Sequence, residues 1–206
     1  MTSAPVALQH PLAPEDRARA DLYALLARIL AAPPDPSLLA TLGSAELLAE
    51  DGLELPAAYN RLLLASRAMD ADAAAQEYTE LFIGVGKSEV NLHASHWRTG
   101  FMMDKPLAEL RGDLAALGLE RRDASGLLED HLASLAETMR MLVAGGEGRA
   151  PATLDEQRRF FVRHIDGWAF ECCNAMQRSP LANYYRRVAE FAQTFLAIER
   201  DSFAIG

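Results

Sequence analysis

The sequence predicts an all-α fold, a single compact helical domain of about ten helices, and three observations predict it. Ala and Leu dominate a chain that is 50% hydrophobic, while the Val, Ile and Thr that suit a pleated strand are few. Apolar residues recur three and four apart in one segment after another, the period of a helix with one buried face. No segment alternates apolar and polar residues for long enough to define a strand. At 206 residues, such a domain buries roughly 70% of the surface its unfolded chain exposes, which suffices for a core without disulfides.

The elements follow in order. Residues 1–13 read as a flexible N-terminal arm and 14–206 as the helical domain. From Pro14, PEDRARADLYALLARIL carries acids in its first turn and then Leu22, Leu25, Leu26 and Ile29 at helical spacing; the prolines of AAPPDP end it. Short helices are expected through 37–50, and a longer one from Pro56 to Met69. In ADAAAQEYTELFIG, Tyr78, Leu81 and Phe82 fall on one face, and Gly84 and Gly86 stop the helix. Residues 83–95, IGVGKSEVNLHAS, are the least regular stretch and a possible hinge between two halves. A helix over 106–118 ends at Gly118. Ser125 is a suitable cap for the next one, which contains LLEDHLASLAETM (127–139) and buries Leu128, Leu132, Leu135, Met139 and Leu142. AGGEGRAPAT breaks it. The last two helices are LDEQRRFFVRHIDGWAFECCNAMQ, bent near Gly167, and SPLANYYRRVAEFAQTFLAIERD, with Pro180 in its first turn.

Charge and cysteine content narrow the function. The net charge is −9, and lysine occurs only at 87 and 105, so nucleic acid, which needs a basic face, is not an expected partner. Cys172 and Cys173 are neighbours, a spacing that rarely meets disulfide geometry, and read as small side chains packed on a helix. The N-terminus lacks the basic start, apolar run and small-residue cleavage site of a leader. No run approaches the ~18–20 apolar residues of a membrane span. A cytoplasmic protein that does not insert into the membrane is expected, as monomer or dimer.

The candidate chemistry centres on Asp130 and His131. On a helical wheel for 127–139, Asp130 points away from the core stripe and His131 lies about 60° to one side of it, so neither is expected in the core. Asp130 then counters the helix dipole, or the pair forms a binding hot spot. A metal site would recruit His93 and His96, spaced i, i+3, with His131 and His164. Zinc needs three or four protein ligands, and no HExxH or cysteine-pair cluster accompanies them. No GxSxG elbow or phosphate-binding glycine loop is present; GVGK at 84–87 lacks the first glycine of a Walker motif. Trp97, beside His96, and the adaptable pair Met102 and Met103 suit an amphipathic peptide better than a reaction.

Several segments, taken in order, are similar to the TorD family of molybdoenzyme maturation chaperones, which includes the DmsD and NarJ proteins. These are EYTELFIG at 77–84, ASHW at 94–97, EDH at 129–131, and Phe161, His164 and Trp168 followed by LANYYRRVAEFAQTFLAIE. They span nearly the whole chain from residue 20. One departure is Glu129, which stands where the family commonly has a proline.

The resemblance implies an all-helical cytoplasmic chaperone without catalytic activity or cofactor of its own. Such a protein binds the twin-arginine signal peptide and the apo form of a molybdopterin oxidoreductase, and holds it for cofactor insertion before export. The client could be a dimethyl sulfoxide, trimethylamine oxide, nitrate or formate enzyme. Residue by residue, the family's motifs fall on Tyr78, Leu81 and Phe82, on Ser95 and Trp97, and on Asp130 and His131. With Met102 these are the expected peptide contacts: an apolar trough of Tyr78, Phe82, Trp97 and Met102, with Asp130, aided by Glu129, facing the arginines. The alternatives are a metal-binding sensor or enzyme using His93, His96, His131 and His164, and a plain acidic helical adaptor.

Overall fold

The structure, a computed structural model, describes residues 12–120, 126–146 and 148–205. Its α-helices are α1 (Pro14–Ala31), α2 (Pro36–Ser44), α3 (Glu54–Ala68), α4 (Ala71–Tyr78), α5 (Ala94–Thr99), α6 (Lys105–Ala116), α7 (Leu132–Ala144), α8 (Leu154–His164), α9 (Trp168–Arg178) and α10 (Tyr184–Ile205). A π turn, Thr79–Ile83, extends α4. The described residues contain isolated β-bridges but no β-strand, so the all-α expectation holds. Most of the arm expected over 1–13, and the Ser125 cap, lie outside the described residues.

The core is built along α1, α7 and α10. Helix α1 packs lengthwise on α7, and α10 lies against α1, α3, α4, α8 and α9. The stripe Leu132, Leu135, Met139 and Leu142 of α7 is buried throughout, and each such side chain contributes about 1.5–3 kcal/mol when removed from water. One polar group crosses this core. The buried Glu199 accepts from Arg19 Nε at 2.7 Å and Nη2 at 2.9 Å, and from the Tyr23 hydroxyl at 2.9 Å. A charge inside a core is tolerated only when paired and bonded in this way.

Among the boundaries that differ from the sequence reading, two are set by a tertiary contact. Helix α2 stops at Ser44 rather than running toward 50, because the buried Asn60 amide takes over the backbone of Leu48, donating to its carbonyl at 2.8 Å and accepting from its N–H at 2.9 Å. The expected bend at Gly167 is a complete break, since φ there is 79°. Helix α10 begins at Tyr184, four residues past Pro180, where the Glu77 carboxylate accepts the backbone N–H groups of Asn183, Tyr184 and Tyr185 at 2.8–3.0 Å. After the π turn, Gly84 has φ 64°, and a Cβ there would sit 2.2 Å from the Lys87 carbonyl oxygen. Only glycine fits that corner.

The segment 83–95 is irregular yet partly interior, with Val90 and Leu92 buried and the Val90 N–H bonded to the Leu81 carbonyl. Cys172 and Cys173 are both fully buried on α9. Burial pushes both thiols up, Cys173 to about 12, which leaves little thiolate for redox chemistry. No helix among the described residues is long and apolar enough to cross a membrane.

Candidate functional site

The Asp130–His131 pair is not on a helix flank, which corrects the wheel. Helix α7 starts at Leu132, and His131 is its N-cap, with Nδ1 accepting the Ala133 N–H at 3.1 Å. The residues before it pair with the irregular segment instead. Ala94 N–H donates to the Asp130 carbonyl at 3.0 Å, and Leu132 N–H to the Leu92 carbonyl at 2.8 Å. This pairing turns both side chains inward: Asp130 is 0% exposed and His131 4%. The expectation that Asp130 points away from the core is therefore overturned. A wheel holds only within one helix, and the helix had not yet begun.

Inside, Asp130 Oδ2 accepts from the Ser95 N–H at 2.9 Å and its hydroxyl at 2.6 Å, fixing the start of α5. Oδ1 is buried with no hydrogen-bond partner among the described residues. The His131 ring meets His93 edge to face, with centroids 4.9 Å apart. Burial, with His93 adding to it, lowers the His131 pKa to about 3. Since Nδ1 accepts a backbone N–H, the ring is the neutral Nε2–H tautomer. Burial also lowers His93, against the raising effect of Asp130.

Asn91 ties the neighbouring residues together. Its carbonyl accepts Trp97 Nε1 at 2.6 Å, its Oδ1 accepts the His93 N–H at 2.9 Å, and its Nδ2 donates to Met102 Sδ at 3.5 Å. Beyond α5 the chain makes a tight turn through Gly100 at φ 82° and Met103 at φ 55°. Thr99 Oγ1 braces it by accepting the Phe101 N–H at 3.3 Å. The turn projects Phe101, 72% exposed, and Met103, 70% exposed, with Met102 half-exposed between them. A methionine with positive φ is strained, and here the strain holds apolar side chains in water.

Ser95, Trp97, Met102, Asp130 and His131 are thus brought together, whereas the other expected contacts are placed differently. Tyr78 is nearly buried, with its hydroxyl donating to the Leu30 and Ala31 carbonyls at 3.2 Å, which satisfies orphan groups at the end of α1. Leu81 is fully buried. Phe82, partly buried, meets Tyr78 and Tyr185 edge to face at 5.0 Å each. The rings of this motif lock α1 to α10; the aromatic ring beside Trp97 is His96. A single trough running from Tyr78 and Phe82 to Trp97 and Met102 is not what these contacts build.

Two further expectations change. Glu129 is engaged: Arg111 Nε and Nη2 donate to its two oxygens, both at 3.0 Å. His164 is bonded to Asp113 of α6 at 2.7 Å, and no group of three or more His, Cys, Asp or Glu among the described residues could hold a metal ion. A groove of about 620 Å³ opens between α6 and α8, floored by Phe160 and rimmed by Arg158, Arg159 and Arg163; none of the expected peptide contacts lines it.

Sequence reasoning missed Asn91, Phe101 and Arg111. Nothing local marks Asn91, whose partners lie on other elements. Phe101 carried a usable signal: FMM, three consecutive large apolar residues between Gly100 and Asp104, sits where a turn should be polar.

A crystal structure from Archaeoglobus fulgidus, described as a candidate redox enzyme maturation protein, shares this fold with a TM-score of 0.60 and 16% identity, over 94% of this chain and 99% of that one. Residues 45–174 match the family described as nitrate reductase delta subunit, and the chain belongs to that family. That family, together with the shared fold, supports a redox enzyme maturation chaperone rather than a catalyst. No curated protein matches it.

Proposed function

We propose that this chaperone works in the cytoplasm on a molybdopterin oxidoreductase, binding its twin-arginine signal peptide and apo form and holding both until the cofactor is inserted. The molybdopterin belongs to the client. The observation that carries this reading is the braced turn at 100–103, which keeps Phe101 and Met103 exposed beside Trp97. The apolar middle of a signal peptide has the chemistry to cover such a ridge, and methionine adapts to varied apolar partners. Asp130 and Ser95 act as positioning residues, holding the start of α5 and so the ridge that follows it. His131 and Asn91 fix the same segment from the other side.

Titration calorimetry with a peptide carrying two arginines and an apolar middle tests this. Wild type should bind near the micromolar range, and Phe101→Ser with Met103→Ser should weaken binding at least about tenfold, since aromatic anchors dominate such contacts. Thermal stability should barely change, because both side chains are already in water. Equal binding by wild type and the double variant would remove the ridge from the site.

A further inference from the structure

We infer that the groove between α6 and α8 is a docking surface for an acidic amphipathic helix of a partner protein. The surface is distinct from the ridge at 100–103, since neither Phe101 nor Met103 lines it. The inference therefore goes beyond the signal-peptide reading and stands whether or not that ridge takes a leader. Its basis is a local reversal of charge. The chain carries a net charge of −9, yet this groove of about 620 Å³ is rimmed by Arg158, Arg159 and Arg163. The acids beside those arginines are already engaged in the fold. Glu156 Oε2 accepts the Thr153 N–H and hydroxyl, both at 2.8 Å, and so closes the cap of α8. Asp113 divides itself between His164 Nε2 at 2.7 Å and the Arg163 guanidinium at 3.0 Å. Arg158 faces Asp155 at 3.7 Å, beyond hydrogen-bond reach. Arg159 makes no hydrogen bond or ion pair among the described residues.

Helix α8 presents this charge in an order that another helix can follow. Leu154, Arg158 and Val162 stand four apart in one row, and Arg159 and Arg163 stand four apart in the row beside it. Leu154 is 66% exposed and Val162 54%, so two apolar side chains in water flank an arginine, above the floor that Phe160 gives the groove. Like charges four apart on a helix repel each other, and an acid from outside relieves that repulsion. A furrow between two helices accepts a third along its length. The occupant must then bring carboxylates for Arg158 and Arg159, which guanidinium pairs with in a fork, and an apolar stripe for Leu154, Val162 and the floor. A twin-arginine leader has the wrong sign for this rim. Nucleic acid is opposed by the charge of the molecule as a whole. An acidic helix with leucine or phenylalanine at helical spacing meets both demands.

Fluorescence anisotropy on the full chain tests this with a designed probe, a capped peptide helix whose leucines recur at helical spacing between glutamates. Wild type should bind it saturably. Arg158→Glu with Arg159→Glu should weaken binding at least about tenfold, with an unchanged thermal midpoint, since neither guanidinium is hydrogen-bonded in the fold. Arg17→Glu with Arg178→Glu makes the same change of charge on exposed arginines elsewhere and should leave binding as it was. A probe with lysine for glutamate should regain affinity on the Arg158→Glu/Arg159→Glu variant. A probe with serine for leucine should bind wild type at least about tenfold more weakly. Phe101→Ser with Met103→Ser should bind the acidic probe as wild type does, so that failure of the leader site and failure of the groove are told apart. No saturation of wild type up to about 1 mM, equal loss in the two charge variants, or no rescue by the lysine probe overturns the inference. Undiminished binding of the serine probe reduces the groove to a plain anion site, and loss of binding in the Phe101/Met103 variant merges it with the ridge; either result also overturns it.

Discussion

His131 shows what one residue contributes when it stands where a helix begins. Its ring caps α7 only while Nδ1 has a lone pair, so a proton there would turn an acceptor into a donor facing another donor. The folded pKa of about 3 lies below the value of about 6.5 in an unfolded chain. Between those two pH values the unfolded chain holds more protons, and stability falls as pH falls, by up to about 1.4 kcal/mol per pH unit for one such histidine. Burial lowers His93 and His164 as well, and both act in the same direction. Urea midpoints should therefore drop between pH 6.5 and 4.5. His131→Asn, which keeps a capping acceptor without the titration, should flatten that slope measurably; an identical slope would mean that the cap does not titrate as described.

Elements were legible in the sequence to the extent that their cause is local. The stripe from Leu132 to Leu142 follows the helical period, so the body of α7 and the face it buries could be read directly. Its start could not, because the residues that pair with Asp130 and Leu132 at its N-terminus, Leu92 and Ala94, lie far away in sequence. The same holds for α10, whose N-terminus is set by Glu77 and not by Pro180. The site was legible only in part for that reason. Ser95, Trp97, Asp130 and His131 do assemble, but through Asn91 and backbone pairing that no spacing rule encodes. Tyr78 and Leu81 were recognisable as a motif, while their place in the core became clear only from the carbonyls and rings they meet. The Glu77 cap permits a quantitative check. Glu77→Ala leaves backbone donors of Tyr184 and Tyr185 buried without their acceptor, and should cost at least about 3 kcal/mol in chemical denaturation. Glu77→Gln, which keeps one carbonyl oxygen, should cost less. Equal stability of wild type and both variants would contradict the capping role.

Across the whole molecule, α10 is the element against which most others close. It contacts α1, α3, α4, α8 and α9, and it supplies the Glu199 carboxylate that holds Arg19 and Tyr23. A chain ending at Asn183 should lose the sharp, single unfolding transition of the full protein, and near-ultraviolet circular dichroism should show disordered aromatic packing. Retention of a cooperative transition would mean that α1 and α7 form a core by themselves. The separation of Glu77 from its amide partners, 106 to 108 residues along the chain, also bears on how this protein is made. At about 5–20 residues per second, a ribosome delivers those amides several seconds after the carboxylate has emerged. Through that interval the apolar faces that α10 will close, on α1, α3, α4, α8 and α9, await their cover.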